Sequence, residues 1–460
     1  MQTNKPPDKL AIYTNKYVSK AVFFVMFGTS GIRGVYGKDI TEELVTGITG
    51  VFADGKIAIG RDVRGSGISL FKAAVNGAFS SQANVVDLGI VPTPTVAFAT
   101  KKHNCRGIML TASHNPPEYN GMKLIEHGKE IGKILENEIT KEYSKWTMDD
   151  YSQGIITKDY NIINDHKNHV SELVDGIEIE RKKPTVVVDC NGAAAVITPY
   201  LLTELGCKVI SVNSSTDGFN RPSEPSKENI SYLSGFVREI KADFAIAHDG
   251  DGDRCVIMDD SGEVLPLDVQ LAMMIEHELG KNTNKKIVST VEASLVIREV
   301  VENAGGRIEI TPVGSTYVGD ALEVGGALFG GEPCGEYIYQ KGVHVPDAVL
   351  AAAKFVEMFT LNGKFSELKK KYKQNFMARE KFRVNDKRNT IEKIKESVLG
   401  LNISGKLRDD DGIRVDEEEG WFLIRASGTE PIIRLTMEYK TKEKLEIRKK
   451  QMVETINSKL

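Results

Sequence analysis

Three stretches of the chain change their apolar period in the same way. Residues 56–89 ("KIAIGRDVRGSGISLFKAAVNGAFSSQANVVDLG"), 183–212 ("KPTVVVDCNGAAAVITPYLLTELGCKVISV") and 285–313 ("KKIVSTVEASLVIREVVENAGGRIEITPV") each open on a short β-branched run. A turn of small residues follows, then apolar positions at helical spacing, then a second apolar run. A period moving from strand to helix and back predicts a βαβ unit, and three of them predict three similar α/β domains in tandem. The tail has a different rhythm. "KFSELKKKYKQ" (364–374) predicts a charged amphipathic helix, "AREKFRV" (378–384) a strand and "TIEKIKESVLGL" (390–401) a second helix. Residues 411–440 then predict two strands around a turn and a loop, with a last helix from about Lys442, which together make a C-terminal α+β domain.

A chain of 460 residues exceeds what one core can organise, in keeping with several domains. Expected boundaries are an N-terminal extension over 1–25 and domains over 26–155, 168–258, 259–368 and 375–460. The run "AVFFVMF" (Ala21–Phe27) lacks the flanks of a signal peptide and reads as entry into a first strand. Met26, directly before "FGTSGIRG", is an expected alternative start of translation. A net charge of −4, built from interspersed charges, leaves no large basic field, so nucleic acid is not an expected partner. No apolar run nears the roughly 20 residues that span a bilayer, so no membrane association is expected. Five scattered cysteines without a CxxC pair fit a reduced, cytoplasmic protein, and no unusual apolar patch in the sequence decides between monomer and homodimer.

Four stretches carry chemistry. In "AHDGDGDRC" (247–255), Asp249, Asp251 and Asp253 alternate with glycines behind an apolar strand. Carboxylates so spaced converge on one hard cation, and three protein ligands suit Mg²⁺, which keeps positions open for phosphate or water. An EF-hand needs Gly and Glu where this chain has Arg254 and Asp260. Arg254 offers either a fork for a phosphoryl oxygen or an internal ion pair to an aspartate. "RASGTEPIIR" (425–434) gives Ser427, Gly428 and Thr429 in a turn flanked by Arg425 and Arg434, a set able to cradle phosphate or to form an ordinary loop. "GGEPCGEYIY" (330–339) places Glu332 and Glu336 where they can accept hydrogen bonds from sugar hydroxyls, or simply turn between strands.

The fourth is "GIMLTASHNPPEYNGMKL" (107–124), holding Ser113 and His114. No GxSxG elbow surrounds Ser113, which argues against acyl transfer. Beside a metal loop and a phosphate cradle, a serine that carries phosphate makes more chemical sense. His114 is a supporting hydrogen-bond partner or loop packing, and Lys123 a proton carrier, a phosphate partner or an exposed strand lysine.

Together the four stretches resemble the α-D-phosphohexomutases, the family of phosphoglucomutases, phosphomannomutases and phosphoglucosamine mutases. "TASHNP" resembles the family's phosphoserine loop, "DGDGDR" its Mg²⁺ loop, "GEPCGE" its sugar loop (taking in Cys334) and "RASGTEP" its phosphate loop, all in family order. "FGTSGIRG" matches the opening motif and implies that Arg33 faces the active site. The resemblance implies a heart-shaped arrangement of four domains around a central cleft. It also implies a phosphoserine enzyme that converts hexose 6-phosphate to hexose 1-phosphate through a bisphosphorylated sugar, with sugar bisphosphate as activator. Phosphorylated Ser113 would also complete the metal site, and a hinge before the fourth domain would open the cleft. Two departures stand out. Many relatives write "GExSGH" where this chain has Cys334 and Glu336, so no histidine is available there as proton carrier. Glu292 stands where several phosphomannomutases carry lysine, and "TPVGSTYV" is nearer to phosphoglucosamine mutases. An added carboxylate suits a sugar ammonium, so glucosamine phosphate is the expected substrate, with mannose or glucose phosphate as the alternative. A sugar-phosphate-binding regulator without turnover and a metal-dependent phosphatase are the competing classes.

Overall fold

The computed structural model describes residues 27–147, 154–401, 403–427 and 431–460. The expectations for residues 1–25 and for Gly428 and Thr429 lie outside them, as does nearly all of the "AVFFVMF" run. Four sheets account for the strands. The first contains β1 (Ile32–Val35), β2 (Lys56–Arg61), β3 (Asn84–Ile90), β4 (Arg106–Leu110), β5 (Tyr119–Glu126), β6 (Lys129–Glu130) and β7 (Ile156–Lys158). The second contains β8 (Thr185–Asp189), β9 (Lys208–Val212), β10 (Phe244–His248) and β11 (Cys255–Met258). The third contains β12 (Lys286–Thr290), β13 (Arg307–Thr311), β14 (Phe329–Glu332) and β15 (Glu336–Tyr339). The last contains β16 (Phe376–Arg383), β17 (Lys406–Arg408), β18 (Ile413–Asp416), β19 (Gly420–Ala426) and β20 (Ile432–Tyr439).

The first three sheets repeat one topology. Its opening strand pairs in parallel with the strand that follows, then with the next, and that third strand turns back into an antiparallel partner. The sets are β2, β3, β4, β5, then β8, β9, β10, β11, then β12, β13, β14, β15. Their inner parallel strands are buried on both faces and read as continuous runs such as "TVVVD" and "FAIAH". Each chemical stretch therefore occupies the same place, the turn from third to fourth strand: 111–118, 249–254 and 333–335. The fourth sheet is wholly antiparallel, and residues 427–431 turn β19 into β20.

Three details differ from expectation. β7 pairs with β3, so the first sheet reaches past residue 155. The helix expected over 364–374 stops at Leu368 and tightens through Lys369–Lys371. Tyr372 then turns extended, because its ring is buried and its hydroxyl bonds to Glu276. The segment 411–440 holds three strands rather than two, since β18 and β19 pair across the "EEEG" turn. Moreover, the second and third sheets share one continuous core, into which the helices Leu267–Lys281 and Ala348–Asn362 bury most of their length. Among the described residues, no helix is long and apolar enough to cross a membrane.

Candidate active site

Ser113 is 1% exposed and adopts a left-handed backbone (φ 48°), which costs a β-substituted residue roughly 1–3 kcal/mol unless its surroundings enforce it. The surroundings do. Its N–H donates to Thr111 Oγ1 at 2.8 Å, and Thr111 in turn donates to Asp62 at 2.7 Å. Arg64, fully buried, spreads its fork over the loop: Nη2 donates to the carbonyls of Ser113 and Asn115, Nη1 to those of Pro116 and Tyr119. Ser223 donates to the Ser113 carbonyl from the second domain at 2.7 Å. The hydroxyl of Ser113 is left pointing at Asp249 Oδ2, 2.9 Å away, with His114 Nδ1 at 3.3 Å.

The three aspartates are buried and their carboxylates lie within 4.8 Å of one another. Burial and the two neighbouring carboxylates push Asp249 well above the usual range. Asp251 moves the other way: burial opposes ionisation, but Lys123 at 2.9 Å and the Thr93 hydroxyl at 2.5 Å outweigh it. Lys123 lies 2.5 Å from Asp253 and 3.8 Å from Glu130. Burial would strip its proton, and these carboxylates hold it on, so Lys123 is a buried ammonium. Asp251 Oδ1 and Asp253 Oδ1 are buried without a hydrogen-bond partner. Orphaned carboxylate oxygens are costly, and a hard divalent cation is the group that would satisfy them. The residues present fit Mg²⁺.

Positive charge also surrounds His114. Arg254 first, then burial and Arg33, depress its imidazole to about 2, so it is neutral at physiological pH and serves as a hydrogen-bonding group. Arg33 is half-buried on β1, with its Nε unpaired among the described atoms. Among the described residues, the Arg254 guanidinium forms no ion pair with an aspartate, one of the two expectations for it. Its guanidinium reaches across to Glu336 at 3.1 Å, while its backbone N–H donates to Asp249 Oδ1. The Cys255 N–H also donates to the Gly335 carbonyl, so the metal and sugar loops abut.

Glu332, Cys334 and Glu336 bring their ligand atoms within 4.8 Å of one another. Burial, then Glu336 and Glu292, raise Glu332 well above the carboxylate range, although its Oε1 accepts the Gly314 N–H at 3.0 Å. Burial and Glu336 likewise raise the Cys334 thiol, which makes it a poor nucleophile. In the last domain, Arg425 Nε donates to Asp411 at 2.9 Å, and its Nη1 lies 3.9 Å from Glu292. Arg434 sits directly opposite Arg425 on the neighbouring strand, hence on the same sheet face, and is exposed. Ser427 is buried. The structure thus gathers Ser113, His114, Lys123, Arg33, Arg254 and the aspartates into one cluster. Glu336 and Glu292 link that cluster to the sugar loop and to Arg425.

Sequence reading missed Arg64, Thr93, Glu130, Ser223 and Asp411. Glu130 accepts from Ser30 through both oxygens and flanks Lys123. Asp411 joins Arg425 to the N–H of Val313. Only Arg64 had a local signal, the polar turn "RDVRGSG" closing a strand.

Comparison with known proteins identifies the family of the chain. Models for domains I, II and III of phosphoglucomutase/phosphomannomutase match residues 25–150, 164–262 and 268–376, and the model of its C-terminal domain matches 377–455. A probable phosphoglucosamine mutase of Methanosarcina acetivorans is 39% identical over 433 residues, covering 91% of this chain and 96% of the relative. One from Pyrococcus furiosus is 37% identical over 437 residues, covering 91% and 95%. A phosphoglucomutase/phosphomannomutase of Thermococcus kodakarensis is 36% identical over 442 residues, covering 91% and 95%. Among solved structures, a phosphoglucomutase/phosphomannomutase family protein from Burkholderia thailandensis superposes with a TM-score of 0.83 at 23% identity, covering 94% of this chain and 97% of that one. An Aspergillus fumigatus N-acetylphosphoglucosamine mutase, solved with GlcNAc-6P and magnesium, gives a TM-score of 0.63 at 14% identity, covering 96% and 97%.

Proposed function

The chain belongs to the phosphoglucomutase/phosphomannomutase family and is a phosphohexomutase, and we propose that Ser113 is its phosphoryl carrier and glucosamine phosphate its preferred substrate. The observation that carries the first part is the strained, buried Ser113 hydroxyl aimed at Asp249 within the aspartate triad. In the first half-reaction the P–O bond to Ser113 breaks as a P–O bond to a sugar hydroxyl forms. The proton of that hydroxyl ends on Ser113 Oγ, where Asp249 accepts its hydrogen bond. A hexose monophosphate becomes a bisphosphate, and the reverse transfer from its other end gives the isomer. Added sugar bisphosphate would rephosphorylate Ser113 and so act as activator.

Asp249, Asp251 and Asp253, with phosphorylated Ser113, would hold Mg²⁺, which when bound neutralises phosphoryl charge. Lys123 adds a fixed positive charge to the same pocket, and the neutral His114 supports the serine oxygen. Arg33 and Arg254 complement the anionic substrate, while Arg425, Ser427, Gly428, Thr429 and Arg434 would grip the phosphate not reacting. The charge on sugar phosphates keeps them inside cells, which supports a cytoplasmic place of work.

The sugar preference rests on charge. Burial first, then the charges of Glu336 and Glu292, raises Glu332, and the ammonium of glucosamine would offset those charges more than a hydroxyl would. The phosphoglucosamine mutases among the relatives support the same choice, and the Thermococcus kodakarensis relative supports mannose or glucose phosphate. A ³¹P NMR competition among glucosamine, mannose and glucose 6-phosphates, with Mg²⁺ and a trace of bisphosphate, decides between them. Glucosamine 1-phosphate should grow first. Faster mannose or glucose conversion overturns the preference and keeps the mechanism, and steady release of inorganic phosphate would indicate a phosphatase.

A further inference from the structure

The segment Phe219–Ser223, between β9 and the helix Leu233–Glu239, lies in none of the four motifs, yet it touches both reacting loops. Its base is bolted down. Arg221 donates through Nε to Asp189 and through Nη2 to the His248 carbonyl, both at 2.6 Å. The Asn191 side chain accepts from the backbone of Asn220 and Arg221. From this base Ser223, 1% exposed, uses its hydroxyl twice. Oγ accepts the Gly250 N–H at 2.9 Å and donates to the Ser113 carbonyl at 2.7 Å. Since Gly250 occupies one acceptor site of that hydroxyl, its single proton is directed at Ser113. The fit leaves no slack: a Cβ on Gly250 would lie 2.6 Å from Ser223 Oγ.

We infer that Ser223 is a positioning residue for phosphoryl transfer, one hydroxyl fixing the backbone of the nucleophile in the first domain against the metal loop of the second. The inference rests on Ser113 being the phosphoryl carrier. With Ser113 held in a left-handed turn, the orientation of its carbonyl sets where its Cβ and Oγ stand. Arg221 and Ser223 hold the metal loop at His248 and Gly250, on either side of Asp249, so one rigid segment fixes both the aspartate and the serine that faces it. Losing the hydroxyl releases the Ser113 carbonyl to Arg64 alone and leaves the Gly250 N–H buried and unpaired. A displacement on the order of 1 Å between reacting groups slows transfer about 10²-fold. Substrate grip, which belongs to Arg425 and its neighbours, should be untouched.

The test uses full-length enzyme with Mg²⁺, labelled on Ser113 by ³²P-glucose 1,6-bisphosphate, and follows single-turnover transfer to glucosamine 6-phosphate. Ser223→Ala should transfer about 10- to 100-fold more slowly, with KM within about twofold of wild type. Ser223→Thr, which keeps the hydroxyl, should recover most of the rate. If Ser223→Ala does not accumulate as folded protein, Ser223→Cys, which keeps the volume with a weaker donor, carries the same comparison. A transfer rate within twofold of wild type, a rise in KM that accounts for the whole loss, or a threonine variant as slow as alanine overturns the inference. Failure of wild-type Ser113 to take up label would instead overturn the phosphoserine reading, so the two are separable.

Discussion

Two of the seams between domains in this molecule differ in what stands at their centre. Between the first and second domains, buried charges meet: Ser113 on Asp249, Thr93 on Asp251, Lys123 on Asp251 and Asp253. Between the third and fourth, an aromatic anchor does the work. Trp421 is fully buried against Val291 and Leu295, with the Arg414 guanidinium 4.1 Å above its ring and its indole N–H donating to Glu438 at 2.7 Å. Arg414 also donates to the carbonyls of Val291 and Ala293, and Glu438 accepts the Leu295 N–H. Charged contacts are strict about distance and expensive to bury, so they belong where atoms must react. Packing around a Trp tolerates small shifts and contributes binding energy without fixing a reaction coordinate. A seam of the second kind suits the grip on the distant phosphate proposed for the last domain.

The sharpest way to break the comparison is Ser113→Ala. It should lower kcat by at least about 10⁴-fold, with sugar-phosphate affinity by calorimetry within a few-fold of wild type. Full activity would remove the serine from the mechanism. Asp251→Asn comes next, slowing transfer about 10²- to 10³-fold and raising the Mg²⁺ concentration needed for half activity. Its thermal midpoint should move much less, because Asp253 still pairs Lys123. Unchanged Mg²⁺ dependence would count against the loop as the metal site.

At the other seam the signs exchange. Trp421→Ala should cost about 3–5 kcal/mol in urea unfolding, with kcat of the folded fraction nearly retained. A collapse of kcat without loss of stability would mean that the seam takes part in the chemistry. Asp268, half-buried near Ser294 and Glu438, gives the smallest effect. Burial, then the charge of Glu438, raises its carboxyl to about 6. The folded state therefore binds its proton more tightly than the unfolded chain does. The resulting stabilisation is complete below about pH 4 and lost as pH rises through 6. Asp268→Asn should thus gain on wild type by about 2 kcal/mol between pH 4 and 7, read from urea midpoints. No change in the gap would show that the carboxyl titrates normally.

How legible each seam was in the sequence follows from the same contrast. The aspartate triad and the Ser113 loop are local: their spacing alone brings the groups together, as the repeated strand period brings three sheets into view. Arg64, Ser223 and Glu130 work across 49, 110 and seven residues respectively, the last through a hairpin turn, and their partners are mainly backbone carbonyls or one lysine. A carbonyl leaves no mark on the residue that carries it, so such partners cannot be read from residue type. The broken helix at Leu368 failed for a kindred reason. Lysine spacing promised a continuous amphipathic face, and a single buried tyrosine with a distant glutamate partner overrode it.

The shared turn between third and fourth strands has a consequence beyond this active site. One scaffold appears three times, and at the same turn it carries a serine, then three aspartates, then two glutamates with a cysteine. Such a molecule repeats one architecture and divides the labour among its turns. Innovation could then proceed one turn at a time, each copy free to change its chemistry while the other two preserved theirs.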